Sequence, residues 1–146
     1  MGEYRFEIHV EAPREHVFGL WTDLDRAREW IGGLTKYTDI TGPVDQVGTR
    51  YTAWFGRMRS PTEVLEVERP RFIRTRFGSW VLRGETSATF EPEGDGTRLT
   101  QTFRTQGIIP AIAARIFATG SYKGSFRGEL AEFGRIAERD WRSRAT

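Results

Sequence analysis

The chain has no cysteine and only two histidines among its 146 residues. The first absence removes disulfides, thiolate nucleophiles, iron–sulfur clusters and cysteine-ligated zinc, and the second leaves too few imidazoles for most other metal sites. No stretch approaches the roughly 18 apolar residues of a membrane span, and the opening MGEYRFEIHVEAP has no apolar core behind a basic segment, so a soluble cytoplasmic protein is expected. Charge of one sign is also scarce: 22 basic against 20 acidic residues give a net +2, too slight an excess to argue for nucleic acid. No GxGxxG or P-loop spacing occurs, so nothing points to a nucleotide.

What is present is enough for one folded domain. Hydrophobic residues are 38% of the chain and aromatics 13%, against 29% charged, which is neither a disordered nor a fibrous composition. At this length a single core can form without staples, and residues 1–146 are read as one domain with no repeat, linker or low-complexity tract.

Residues 3 to 11 alternate, with Tyr4, Phe6, Ile8 and Val10 in one phase and charged residues in the other, which predicts a strand with one wet face. Pro13 suits the first turn of a helix that carries Val17, Leu20, Trp21 and Leu24 on one side. Asp23 is placed to cap a second short helix, with Gly32 and Gly33 at its end. From 34 to 106 the period is two, punctuated by Gly42 and Pro43, Gly56, Pro70, Gly78 and Gly94 to Gly96, which predicts six further strands in a meander. After Gly107 the period lengthens: IIPAIAARIFA precedes a stripe of Tyr122, Phe126, Leu130, Phe133 and Ala137, an amphipathic helix over about 122 to 139. The class is α+β: a curved seven-stranded antiparallel sheet wrapped around a long C-terminal helix, with two short helices between strands 1 and 2. A sheet and a single helix do not fill each other, so a cavity is expected between them.

APREHVFGLWTDLDRAREW resembles the first helices of the START-like, birch-pollen-allergen-like (SRPBCC) superfamily, the helix-grip proteins. VGTRYTAWF, EVLEVERPRFIRTRF and FEPEGDGTRLTQTF follow in the order of that family's middle strands, and the resemblance covers almost the whole chain. It implies a helix-grip fold around a hydrophobic-ligand cavity rather than one chemistry. Its members include lipid and hormone carriers, coenzyme Q-binding proteins, polyketide aromatase/cyclases and iron-holding oxygenase domains, whose paired histidines and carboxylate are missing here. The short single-domain form is most similar to members labelled polyketide cyclase/dehydrase-like.

Strand phase nominates the lining. Leu65 and Val67 share a phase, and Glu63 with them, which predicts a carboxylate on the apolar side, at the rim or inside. Ile73, Thr75 and Phe77 form the inward phase of the next strand, and Gln101 falls between Leu99 and Phe103. Tyr51, Ala53 and Phe55 alternate with Arg50, Thr52 and Trp54; a tryptophan in the polar phase leaves the assignment open, so Tyr51 and Trp54 both stand as candidates. With Tyr122 and Phe126 from the helix, the expected ligand site is Tyr51, Trp54, Phe55, Glu63, Thr75, Phe77, Gln101, Phe103, Tyr122 and Phe126. Glu66, Glu68, Arg74 and Arg76 read as a solvated cross-strand charge ladder. His9 and His16 have no evident triad partners and read as surface residues.

The expected function is binding of a small, largely hydrophobic molecule, without metal, cofactor, nucleic acid or membrane span. The alternative is an enzyme of polyketide aromatase/cyclase type in which Glu63 or Tyr51 moves protons. A third reading is a partner-binding adaptor that uses the glycine stripe Gly120, Gly124 and Gly128 and the run IIPAIAARIFA as a contact surface, and a homodimer stays open with it.

Overall fold

The alternation at the start of the chain becomes β1 (Gly2–Val10), in which Phe6 and Val10 are buried while Arg5, Glu7 and His9 are exposed. The computed structural model describes residues 2–78, 83–106 and 126–144. Pro13 precedes α1 (Arg14–Trp21) as its cap, one position before the first turn, and its carbonyl accepts the Val17 N–H at 3.1 Å. Val17, Phe18 and Leu20 are the buried face of α1. The second expected helix shrinks to a 3₁₀ turn, Ala27–Glu29. Asp23 does not cap it; its Oδ1 accepts the N–H of Asp25 at 3.1 Å in a local turn, and Gly33 at φ 81° redirects the chain.

Six strands follow: β2 (Lys36–Thr38), β3 (Arg50–Phe55), β4 (Met58–Glu68), β5 (Phe72–Gly78), β6 (Arg83–Glu93) and β7 (Gly96–Gln106). The sheet order is β1-β7-β6-β5-β4-β3-β2, so the meander runs from one edge and β1 closes beside β7. Every neighbouring pair is antiparallel. Helix α2 (Phe126–Arg144) crosses the concave face, and this is the seven-stranded helix-grip arrangement the sequence predicted.

Helix α2 buries Glu129, Leu130, Phe133, Gly134, Ile136 and Ala137, which continues the expected stripe; Tyr122 and the switch at Gly107 lie outside the described residues. Of the glycine stripe only Gly128 lies within them. The close approach is made by Gly134 instead, where an added Cβ would sit 3.0 Å from Ile8 Cδ1. Phe133 is fully buried between Trp21 and Trp30, each edge-on at 5.0 Å, and Phe18 meets Phe90 at 5.3 Å. This end is the solid part of the core. His16 belongs to it as a strut: its Nε2–H donates to the Ala137 carbonyl at 2.9 Å while Trp141 packs at 5.3 Å, tying α1 to α2.

One irregularity decides which face several side chains occupy. Val64 pairs with Thr75, but the next pair is Glu66 with Arg74, so Leu65 is an extra residue on β4. The inward set is therefore Ser60, Thr62 and Val64 before the bulge and Val67 after it. Leu65 and Glu63 lie on the outer face.

Candidate functional site

Between the concave face and the first turns of α2 lies a hollow of about 260 Å³. On β7, Leu99 is fully buried, so alternation carries Gln101, Phe103 and Thr105 to the same side. On β5 the same rule presents Ile73, Thr75 and Phe77, and on β3 it presents Tyr51, Ala53 and Phe55. Phe126 closes from the helix side, its ring 4.6 Å from that of Phe103. Trp21, Trp30 and Leu130 form the floor against the solid core.

Seven of the expected residues thus line one hollow: Tyr51, Phe55, Thr75, Phe77, Gln101, Phe103 and Phe126. Trp54 does not. It points to the other face, where its Nε1–H donates to Thr38 Oγ1 at 2.8 Å and Lys36 and Arg59 sit over its ring at 5.0 and 5.8 Å. The alternation of β3 held through Trp54, and the two cations cover the ring that would otherwise be an apolar surface.

Glu63 is the larger correction. It lies on the outer face and accepts from Arg76 Nη2 at 2.7 Å, because the extra residue at Leu65 inverts the phase carried back from Val67. The outer face is the charge ladder the sequence implied. Arg74 bridges Glu66 at 3.3 Å and also Glu85, and Arg104 meets Glu3 at 3.4 Å. A wider, open groove of about 1710 Å³ runs along this face, where the charged side chains of Glu63, Arg74, Arg76, Glu85 and Arg104 interrupt the apolar ones of Leu65, Met58 and Phe77, whereas Glu129 is the one charged residue lining the concave hollow among the described residues.

The carboxylate of the hollow is Glu129. It is 6% exposed, and its Oε2 accepts the Gly32 N–H at 3.2 Å. Among the described residues no other acidic side chain lines the space. The signal was available: Glu129 is three residues after Phe126 and four before Phe133, which places it on the apolar stripe of a helix. Tyr37 was missed for a different reason, since β2 has only three residues and shows no period.

Tyr37 and Tyr51 meet edge-on at 5.5 Å with both rings in the hollow. Burial pushes the Tyr51 hydroxyl up to about 12, and it raises that of Tyr37 further, with the nearby Tyr51 adding to the shift. Both are neutral at physiological pH, so they donate hydrogen bonds and do not act as bases. Two threonine hydroxyls in the lining, those of Thr86 and Thr105, are buried without a hydrogen-bond partner. Among the described residues no three histidine, aspartate or glutamate side chains cluster as a metal site would require, and no helix is long and apolar enough to cross a membrane. The arrangement offers an apolar, partly enclosed volume with a few fixed polar groups, one of them a carboxylate.

The family model described as polyketide cyclase/dehydrase and lipid transport matches residues 1–138. Among curated proteins, none matches this sequence. Among solved structures, the chain is similar to protein MLL2253 from Mesorhizobium loti, with TM-score 0.71 at 19% identity over 94% of this chain and 98% of that one. It is similar to DynU16, a protein of the dynemicin biosynthetic locus, with TM-score 0.69 at 20% identity over 95% of this chain and 48% of that one. The Aha1 dimer from Colwellia psychrerythraea gives TM-score 0.62 at 16% identity over 97% of this chain and 96% of that one. At these identities the likenesses establish the fold alone.

Proposed function

Because the chain belongs to the polyketide cyclase/dehydrase and lipid transport family, we propose that it binds a small, largely apolar molecule in the hollow between the sheet and α2. The observation that carries this reading is the hollow itself: aromatic and aliphatic walls from β3, β5, β7 and α2 around about 260 Å³. A volume of that order, near the lower end of small-molecule sites, takes a ligand of two or three fused rings rather than a long lipid. Closing such a surface on an apolar guest removes water from both, at roughly 25 cal/mol per Å² of apolar area. The test is native mass spectrometry of the purified protein together with melting in the presence of apolar compounds. A retained small molecule, or a rise in Tm with an apolar probe, supports binding; a bare mass with no shift for any probe contradicts it.

A second reading, an enzyme of polyketide aromatase/cyclase type, is favoured by one specific observation: Glu129, Tyr37 and Tyr51 line the same hollow. The carboxylate is placed to accept a proton from a carbon beside a carbonyl, and a neutral tyrosine to donate a hydrogen bond to the oxygen that gains charge. Glu129→Gln should then abolish turnover while the fold and the apolar affinity survive. Loss of affinity without any turnover in the parent would leave the carrier reading alone. Assembly as a homodimer is likewise a proposal, supported by the dimeric Aha1 protein of similar fold and checked by mass on a sizing column.

A further inference from the structure

We infer that a keto or hydroxyl oxygen of the guest docks between the hydroxyls of Thr86 on β6 and Thr105 on β7, which makes these two residues the specificity determinants of the hollow. The inference rests on the binding reading above and adds a requirement to it. Both hydroxyls are buried without a partner, both side chains line the hollow, and Thr105 is only 2% exposed. Two other buried threonines, Thr97 and Thr49, are satisfied. Thr97 Oγ1 donates to the Ala12 carbonyl at 2.7 Å, and Thr49 Oγ1 to the Pro43 carbonyl at 2.7 Å. The unsatisfied pair is thus confined to the lining.

Their placement lets them act together. Thr86 pairs with Phe103 and Thr105 with Gly84, so the two are diagonal neighbours on one face of adjacent strands. Diagonal side chains on a sheet lie within roughly 7 Å, and an oxygen accepting from two hydroxyls at about 2.8 Å each spans nearly that gap. Gly84, paired with Thr105, marks a close approach of Phe77 and the two strands: a Cβ there would lie 3.0 Å from Phe77 Cζ and 3.1 Å from Thr105 Cα. Valine has the shape of threonine and suits a buried strand better, so two hydroxyls in an apolar wall weaken the empty protein. A guest oxygen that accepts both protons recovers that loss, and a guest lacking it leaves the hydroxyls orphaned, which turns the pair into a filter against bare hydrocarbons.

The experiment compares 9-fluorenone with fluorene, one skeleton with and without a keto oxygen, by quenching of tryptophan fluorescence. Trp21 and Trp30 line the hollow and report occupancy. The expected result is a preference for the ketone of about tenfold or more, ~1.4 kcal/mol. Thr86→Val with Thr105→Val should bring the two affinities together by weakening the ketone, with fluorene bound at least as well and Tm no lower than the parent's. Replacing both by serine, which keeps the hydroxyls, should keep the preference. Survival of the preference in the double valine protein overturns the inference, as does equal binding of the two probes by the parent. Failure of both probes to bind the folded parent overturns the binding reading itself, and the inference with it.

Discussion

Truncating two rings of the same helix should have unequal consequences, because α2 is gripped at one place and borders empty space at another. The Phe133 ring is fully buried and meets Trp21 and Trp30 edge-on at 5.0 Å each. Phe133→Ala removes the buried ring, opens a cavity among residues too large to collapse into it, and loses two aromatic contacts of ~0.5 to 1.5 kcal/mol each. The expected loss is about 3 to 5 kcal/mol, the usual range for a buried phenylalanine. Phe126, one heptad earlier on α2, is half-buried and stacks on Phe103 at 4.6 Å with its other side towards the hollow. There the truncation enlarges a space that already exists, so fewer contacts are lost and about 1 to 2 kcal/mol is expected. At ~2 to 4 °C per kcal/mol for a chain of this size, Phe133→Ala should lower Tm by roughly 10 °C or more and Phe126→Ala by only a few degrees. Urea unfolding followed by circular dichroism gives both values, with equal m as the check that unfolding stays two-state. Equal losses, or a larger loss at Phe126, would refute the division of the molecule into a packed end and a hollow end.

Glu63→Gln should leave affinity for 9-fluorenone unchanged and alter stability by no more than ~1 kcal/mol, because its pair with Arg76 is 36% and 59% exposed on the outer face; a change in affinity contradicts that placement. Gly84→Ala should destabilise by about 1 to 3 kcal/mol in urea, since its Cβ would lie 2.3 Å from the Arg104 carbonyl oxygen and the backbone of β6 or β7 must shift; a neutral result would mean the strands separate freely. The His9 imidazole, hydrogen-bonded to Glu93 and then to Glu11 at 2.6 Å each, should titrate above its ordinary 6.5 by NMR. Because the folded value is the higher one, its stabilising contribution is complete below about pH 6.5 and fades as pH rises through the folded pKa; His9→Gln should flatten that slope, and a value at or below 6.5 would contradict the bridge.

The long-range order was readable because period announces class. Tyr4 to Val10 alternate without a break, Ile73 to Phe77 do the same, and the stripe from Phe126 to Ala137 repeats at three and four. These patterns also carried seven of the expected residues to one hollow, since an alternating strand has only two faces. Glu63 was misplaced by one inserted residue. A bulge at Leu65 leaves no mark in composition, and it inverts every phase carried across it. Glu129 was overlooked because a charge in a helix is ordinarily solvent-facing, although its spacing from Phe126 and Phe133 says otherwise. The segment after Asp23 has too few residues for its period to separate a helix from a single 3₁₀ turn. The unpaired state of Thr86 and Thr105 depends on what stands opposite them across strands, which a sequence does not contain.

The central claim is that an apolar guest sits on the concave side, between the sheet and α2. Intermolecular nuclear Overhauser effects between bound 9-fluorenone and the protein test it most directly. The account predicts contacts from the probe to the ring protons of Phe103 and Phe126 and to the methyl groups of Ile73, Thr86 and Leu130, all of which line the hollow. Contacts instead to Leu65 or to the methylenes of Arg74 and Arg76, on the outer groove, would contradict it.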